Sequence, residues 1–155
     1  MTNTKELLNK LLVQLFNDIL HIEEKSIKNK ELTDLSMNEI HTIEAIGIDK
    51  QRTMGEIAHD LRITVGTLTT AITKLIKKGY VKRERTEEDR RVVLVSLTVE
   101  GEKVYKEHQV FHEEMINSML GNFSEKEEEV LAVALEKLNN FFEKNMKALN
   151  KRIEN

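Results

Sequence analysis

At Gly79 the apolar pattern of the chain changes period, and that change limits the fold more than any other feature. Upstream, Val65, Leu68, Ile72, Leu75 and Ile76 recur at helical spacing, and Ile57, Ala58 and Leu61 give a shorter segment one apolar face. Downstream, Tyr80-Val81 and Val92, Val93, Leu94, Val95 and Leu97 are β-formers. Between them lies the polar run Thr86-Glu87-Glu88-Asp89-Arg90-Arg91, suited to a hairpin tip. The boundary signals agree. Thr53 and Glu56 have capping-box spacing, Thr64 can cap the second helix, and the turn falls near Arg62-Ile63. Lys77-Lys78 followed by Gly79 is a helix stop: cations in the last turn, then a residue that tolerates a left-handed backbone. Helix, turn, helix, strand, tip, strand is the pattern of a helix-turn-helix followed by a two-stranded wing.

Charge is distributed to match. Residues 53–98 hold nine Lys/Arg against six Asp/Glu, a net of +3, in a chain whose formal charge is −3. A basic island in an acidic protein is an electrostatic footprint for phosphates. A solvated surface face is the plain alternative, but the island coincides with the helix-turn-helix and hairpin, which predicts binding to double-stranded DNA.

Helices flank this lobe. Thr4 to Ile22 carries a wide stripe of Leu7, Leu8, Leu11, Leu12, Leu15, Ile19 and Ile22. Residues 23–35 are polar and weakly periodic, and read as a helix end and a connection. Ser36 with Glu39 opens a helix through Ile40, Ile43, Ala45 and Ile46, closed by Gly47, and residues 49–52 form the loop before the helix-turn-helix. After the hairpin, Thr98 starts a helix whose apolar side is marked by Val99, Val104, Phe111, Met115 and Met119. Gly121-Asn122 breaks it, and Ser124 with Glu127 caps a last helix, 124–149, bearing Val130, Leu131, Ala134, Leu135, Leu138, Phe141, Phe142 and Leu149. A monomer would leave such stripes exposed, which predicts a homodimer. The expected fold is mainly α with a small β-hairpin wing. A single domain spans 1–155, with a DNA-binding lobe at 36–98 and dimerisation helices at 1–35 and 99–155.

Several classes are disfavoured. The chain has no Cys, so neither disulfides nor a thiol nucleophile or redox sensor is available. It has no Gly-rich phosphate loop and no HExxH, so no enzyme is expected. No leader pattern and no bilayer-length apolar run is present, which predicts a cytoplasmic protein with no membrane partner.

The string GEIAHDL…TVGTLTTAITKLIKKGYVKRERTEEDRRVVLVSLTVEG resembles the DNA-binding core of the MarR family of bacterial transcription regulators. Asp89 to Gly101, DRRVVLVSLTVEG, is close to that family's wing signature. IEEKSI, EIHTIEAIG and TVGTLTTAITKLIKKGYVKR look most like the branch that represses fatty-acid biosynthesis genes in Firmicutes. The resemblance implies a winged helix-turn-helix dimer whose termini intertwine. It implies a repressor of fatty-acid synthesis genes, with a long acyl chain on acyl carrier protein as corepressor. Alternatives within the family are a repressor released by a small aromatic or stress-related ligand, and a zinc-dependent repressor.

Site residues follow from both readings. On the second helix, Thr64, Val65, Thr67, Thr69 and Thr70 can offer hydroxyls and methyls to phosphates and bases, with Lys74 on phosphate. By resemblance, Arg90 enters a minor groove and Asp89 holds the wing by ion pairing, with Arg91 as its partner or a second contact. An acyl tunnel would draw on Leu15, Ile19, Ile22, Ile40, Ile43, Phe111 and Met115, each of which also reads as ordinary core. His108 and His112, four apart on a helix, and His41 have residue types that suit Zn²⁺, with Glu23-Glu24, Glu107 and Glu113 as oxygen donors. Without a thiolate the expectation is no metal and no cofactor.

Overall fold

Side-chain caps set where most helices of the first half begin. Ser36 and Thr53 each accept a hydrogen bond from the backbone N–H three residues on, and Glu39 and Glu56 in turn each accept one from the cap residue's N–H. The Thr53 N–H and hydroxyl hold the Glu56 carboxyl below its usual range. The computed structural model describes residues 3–28 and 34–153. In chain order these form α1 (Thr4–Lys28), α2 (Met37–Ile46), β1 (Arg52–Thr53), α3 (Met54–Leu61), α4 (Val65–Lys78), β2 (Val81–Arg85), β3 (Val93–Leu97), α5 (Val99–Leu120) and α6 (Glu125–Ile153). They divide into two units, residues 1–111 and 112–155, with the division inside α5. Among the described residues no helix is long and apolar enough to cross a membrane.

In the first unit the core is built from one face of each helix. Ile40, Ile43 and Ile46 of α2, Ile57 and Ala58 of α3, and Leu68, Ile72 and Leu75 of α4 are buried together. Val81, Val95 and Leu97 close the core from the sheet, and Val104 from α5. Each such Val, Leu or Ile side chain contributes roughly 1.5–3 kcal/mol on leaving water.

The sheet has three strands in the order β1-β3-β2, one more than the expected hairpin. β3 is central and antiparallel to both neighbours, with Val81 opposite Leu97, Arg85 opposite Val93 and Arg52 opposite Val95. The expected loop at 49–52 thus ends in a two-residue strand. A pair so short carries no period for a sequence to display. The second strand also begins one residue late: the Val92 N–H donates to the Asp89 carbonyl at 2.9 Å, which closes the tip instead of extending the ladder.

The helical flanks differ from expectation in two places. α1 runs six residues past Ile22, to Lys28. The extra turns lack an apolar stripe because one of their two buried positions is charged: Glu23 and Ile27 are 4% and 7% exposed. Residues 29–33 of the expected connection lie outside the described residues. In α5, Val99 is 71% exposed and does not belong to the inward face. That face is Gly101, Val104 and His108, so the first turn is spent on the cap and the polar His108 occupies a core position. Gly101 packs against the chain beyond α4: a Cβ there would stand 2.1 Å from the Tyr80 carbonyl oxygen.

The second unit comprises the end of α5, the turn at Gly121-Asn122 and α6, capped by Ser124 and Glu127. Val130, Phe141 and Phe142 are exposed on α6, as Leu8, Leu15 and Phe16 are on α1 in the first unit. Leu149 lies outside the described side chains.

Gly101→Ala should destabilise the fold by about 1–3 kcal/mol, the usual cost of forcing a methyl into filled space. Denaturant unfolding checks it, and an unchanged midpoint would contradict the close approach.

Candidate nucleic-acid interface

The helix pair α3–α4 is joined through Arg62, whose left-handed backbone (φ 56°, ψ 40°) reverses the chain in place of a glycine. Its N–H donates to the His59 carbonyl and that of Ile63 to the Ala58 carbonyl, both at 3.1 Å. Thr64 then starts α4 by accepting from the Thr67 N–H at 3.1 Å. No acidic residue stands in the first turn of α4, and none occurs anywhere on it, so its positive N-terminal end is uncompensated.

Burial of Leu68, Ile72 and Leu75 decides which face of α4 looks outward. The opposite face is Gly66, Thr70, Thr73 and Lys77 at spacings of four, three and four, all exposed. Thr67, Thr69 and Lys74 flank this ridge, also exposed, as are Thr64 and Val65 at the start. Every residue predicted from sequence on this helix is therefore on the surface. Thr73 and Lys77 were missed; continuing the helical spacing past Thr70 would have found both.

The hydroxyls are not all free to donate. Thr69 donates to the Val65 carbonyl at 2.8 Å, Thr73 to the Thr69 carbonyl at 2.8 Å and, more weakly, Thr70 to the Gly66 carbonyl at 3.4 Å. Thr64 and Thr67 hydroxyls share one bond at 2.9 Å. What Thr69 and Thr73 present outward is a methyl group and acceptor lone pairs.

The wing tip is held by its own polar groups. Thr86 accepts from the Asp89 N–H and donates to the Asp89 carbonyl, and its N–H donates to the Val92 carbonyl. Asp89 Oδ1 accepts from the Arg91 N–H at 3.0 Å and from Arg91 Nε at 3.2 Å. Arg85 Nη1 donates to the Arg90 carbonyl at 2.9 Å. These pairs are exposed, so they contribute little stability and mainly orient the loop. Two of the three arginines here are thus engaged with the tip. Arg90 is exposed, and its guanidinium has no ion-pair partner among the described residues. Arg85 had no sequence signal, because its role depends on the cross-strand register.

Away from this surface, the first unit gathers Glu23 of α1, His41 of α2 and His108 of α5. Glu23 Oε2 lies 3.8 Å from His41 Nε2, and Glu23 Oε1 lies 3.9 Å from His108 Nε2. One ligand atom from each lies within 4.8 Å of the others. His112 belongs to the second unit. Beside the cluster is a narrow cavity lined by Ser26, Ile27, Ile40, Val104, Glu107, His108 and Phe111. Its interior room is about 10 Å³, enough for one water. Of the residues expected around an acyl chain, Ile40 and Phe111 are on this cavity. Ile43 is wholly in the core, Leu15, Ile19 and Ile22 face outward from α1, and Met115 is in the second unit.

Comparison with known proteins agrees with this geometry. The family model described as "MarR family" matches residues 35–93. The HTH-type transcriptional regulator BilQ of Clostridium symbiosum is 30% identical over 105 residues, 67% of this chain and 72% of that protein. Streptococcus pneumoniae FabT, solved in complex with DNA, is 36% identical, with a TM-score of 0.86 over 90% of this chain and 98% of that one. The Staphylococcus aureus MepR–DNA complex, 19% identical, shares the fold, with a TM-score of 0.72 over 85% of this chain and 94% of that one.

Arg90→Ala is expected to weaken DNA binding by about 1–3 kcal/mol without altering the fold, the range for one specific contact. Titration at physiological salt checks it; unchanged affinity would remove Arg90 from the interface.

Proposed function

The chain belongs to the MarR family of DNA-binding transcription regulators, which are not enzymes, and on that footing we propose that it is a homodimeric repressor of fatty-acid biosynthesis genes. Its corepressor is a long acyl chain carried on acyl carrier protein. The carrying observation is the 36% identity to DNA-bound FabT across 98% of that chain, together with an outward α4 face that holds threonines, lysines and no acid. Residues 36–98 are the DNA-binding lobe, and 1–35 and 99–155 are the dimerisation helices.

The chemistry of α4 suggests a division of labour. A phosphate oxygen needs a donor, and Lys74 and Lys77 have donors to give. Thr69 and Thr73 spend theirs on their own helix, which suits them to base edges: methyl against thymine methyl, oxygen toward an adenine or cytosine amine. Thr64 and Thr67 lie at the helix start, where backbone N–H groups favour a phosphate. Arg90 enters the minor groove, where the potential is most negative. Asp89 and Arg91 keep the wing in shape for it.

For the effector, the cavity between α1, α2 and α5 has apolar walls at Ile27, Ile40, Val104 and Phe111. With about 10 Å³ of room it can take an acyl chain only if α1 moves relative to α2 and α5. Occupancy is thereby linked to a displacement of α1, the energetic requirement for an effector that shifts a conformational equilibrium. The branch resemblance carried by IEEKSI and EIHTIEAIG falls on these same helices.

One observation favours a second reading. Glu23, His41 and His108 offer one oxygen and two imidazole nitrogens at mutual reach, three of the four donors a Zn²⁺ site requires. A zinc-dependent repressor would use them.

A single mobility-shift experiment on the DNA upstream of lipid-synthesis genes separates the readings. Acyl carrier protein loaded with a long acyl chain is expected to tighten the shift, and the unloaded carrier to leave it unchanged. No response to the loaded carrier, with loss of binding in EDTA restored by stoichiometric Zn²⁺, would install the zinc reading. Release by a small aromatic ligand instead would make the chain an inducer-released repressor.

Exposed Leu8, Leu15 and Phe16 on α1 and Val130, Phe141 and Phe142 on α6 are the faces the second copy covers. Two recognition helices must then meet half-sites roughly 34 Å apart. Deletion of residues 1–22 is therefore expected to abolish dimerisation and DNA binding together, although α4 is untouched. Sedimentation and DNA titration check it; a truncated chain that remains dimeric and binds normally would overturn this assignment.

A further inference from the structure

We propose that Lys78, Glu39, Asp34 and Tyr80 form a tether that fixes the attitude of α4 against the start of α2, making them positioning residues for DNA binding. This rests on the reading of α4 as the DNA-reading helix.

Lys78 is the last residue of α4, and its ammonium commits all three donors. It reaches Glu39 Oε1 at 3.0 Å, Glu39 Oε2 at 2.9 Å and the Asp34 carbonyl. Glu39 is at the same time the returning arm of the α2 capping box, accepting from the Ser36 N–H at 2.8 Å. Two residues beyond Lys78, the Tyr80 hydroxyl donates to Asp34 Oδ1 at 2.9 Å. Burial and the Asp34 carboxylate push the phenol up to about 12, so it stays a donor throughout the physiological range. Asp34 is the first described residue after the 29–33 segment that follows α1. The tether thus joins the end of α4 to the start of α2 and to Asp34 just ahead of it.

The three lysines of α4 are sorted by this arrangement. Lys74, Lys77 and Lys78 are all exposed, but Lys78 carries its ammonium to Glu39 of α2, with a side chain 31% exposed. Its partner Glu39 has a side chain only 10% exposed. Removing such charges from water offsets most of their attraction, so the pair adds little net stability compared with two apolar side chains. What it supplies is geometry: an ammonium with three committed donors has one arrangement, where an apolar contact has several. The attachment lies at the end of α4 opposite Thr64. A restraint there bears on the tilt of the helix, which spans roughly 21 Å by its rise per residue.

The test uses the full chain and a duplex enriched on the wild-type protein from a random-sequence pool. Lys78→Met, Glu39→Gln, their double variant and Lys78→Arg are titrated at several salt concentrations, with thermal unfolding alongside. Glutamine also serves as the returning arm of a capping box, so Glu39→Gln removes the charge and keeps the cap. The tether predicts that each single variant weakens binding about tenfold and that the double is no weaker than Lys78→Met; the singles leave a partner unpaired and lower Tm, whereas in the double Tm and the salt slope hold while binding stays weak. Lys78→Arg should recover part of the loss. If Lys78 instead contacts phosphate, Lys78→Met lowers the salt slope by about one and Glu39→Gln leaves affinity equal or tighter, which overturns the tether. A loss in the double variant that merely tracks a lowered Tm overturns it as well. Failure of the wild type to enrich any duplex would refute the DNA-reading role of α4 itself, a result distinct from wild-type binding that the variants do not disturb.

Discussion

Tyr80 sits where three parts of the first unit meet, and its polar atoms are divided among them. Its N–H donates to the Leu75 carbonyl at 3.0 Å and so finishes α4 after Gly79 has turned left-handed. Its carbonyl accepts from the Thr98 N–H at 3.0 Å, which places the start of α5 against the end of α4. The same carbonyl leaves no room for a side chain at Gly101. Its hydroxyl holds Asp34. The end of α4, the start of α5 and Asp34 are each bonded to this one residue. None of these bonds is strong alone, since each replaces a bond to water and nets about 1 kcal/mol. Their effect comes from converging on a short stretch that has no freedom left.

The outward surface is a consequence of the inward one. Leu68, Ile72 and Leu75 are completely buried, so rotation of α4 would expose apolar area on one side and bury threonines and lysines on the other. Packing therefore sets the rotation of α4 about its own axis, and with it which residues form the outward ridge. The wing is held differently. Apart from Val81, β2 is exposed, and the tip depends on Thr86, Asp89, Arg85 and Arg91 satisfying one another in water. Such a loop is locally ordered but weakly anchored to the core.

The α1 side of the unit combines a polar cluster, a nearly filled cavity and the tether within a few turns of helix. Burial would raise the Glu39 carboxyl, but the Ser36 N–H and Lys78 outweigh it and hold it low. Its contribution to stability is then present above the ordinary carboxylate range and fades as pH falls through the lowered value. Glu23 is as buried as Glu39 and lies 3.8 Å from His41 and 3.9 Å from His108, whereas Glu39 is bonded to Lys78.

Local rules carried the element boundaries that have local causes. The caps at Ser36, Thr53, Thr64 and Ser124, the helix stop and change of period at Gly79 and the hairpin tip that opens at Thr86 have local causes, and a sequence displays these directly. Facing on α4 was legible for the same reason, since its spacing is regular, although Thr73 and Lys77 were passed over. Other features belong to the tertiary structure. β1 is two residues long and exists only because β3 lies beside it. The last turns of α1 are read as polar until Glu23 meets His41 and His108 from helices far along the chain. The engagement of Arg85 with the Arg90 carbonyl and of Lys78 with Glu39 follows from strand register and helix packing. A charge at a given position is visible in sequence, but whether it faces solvent, DNA or a buried partner is decided by what folding places opposite it.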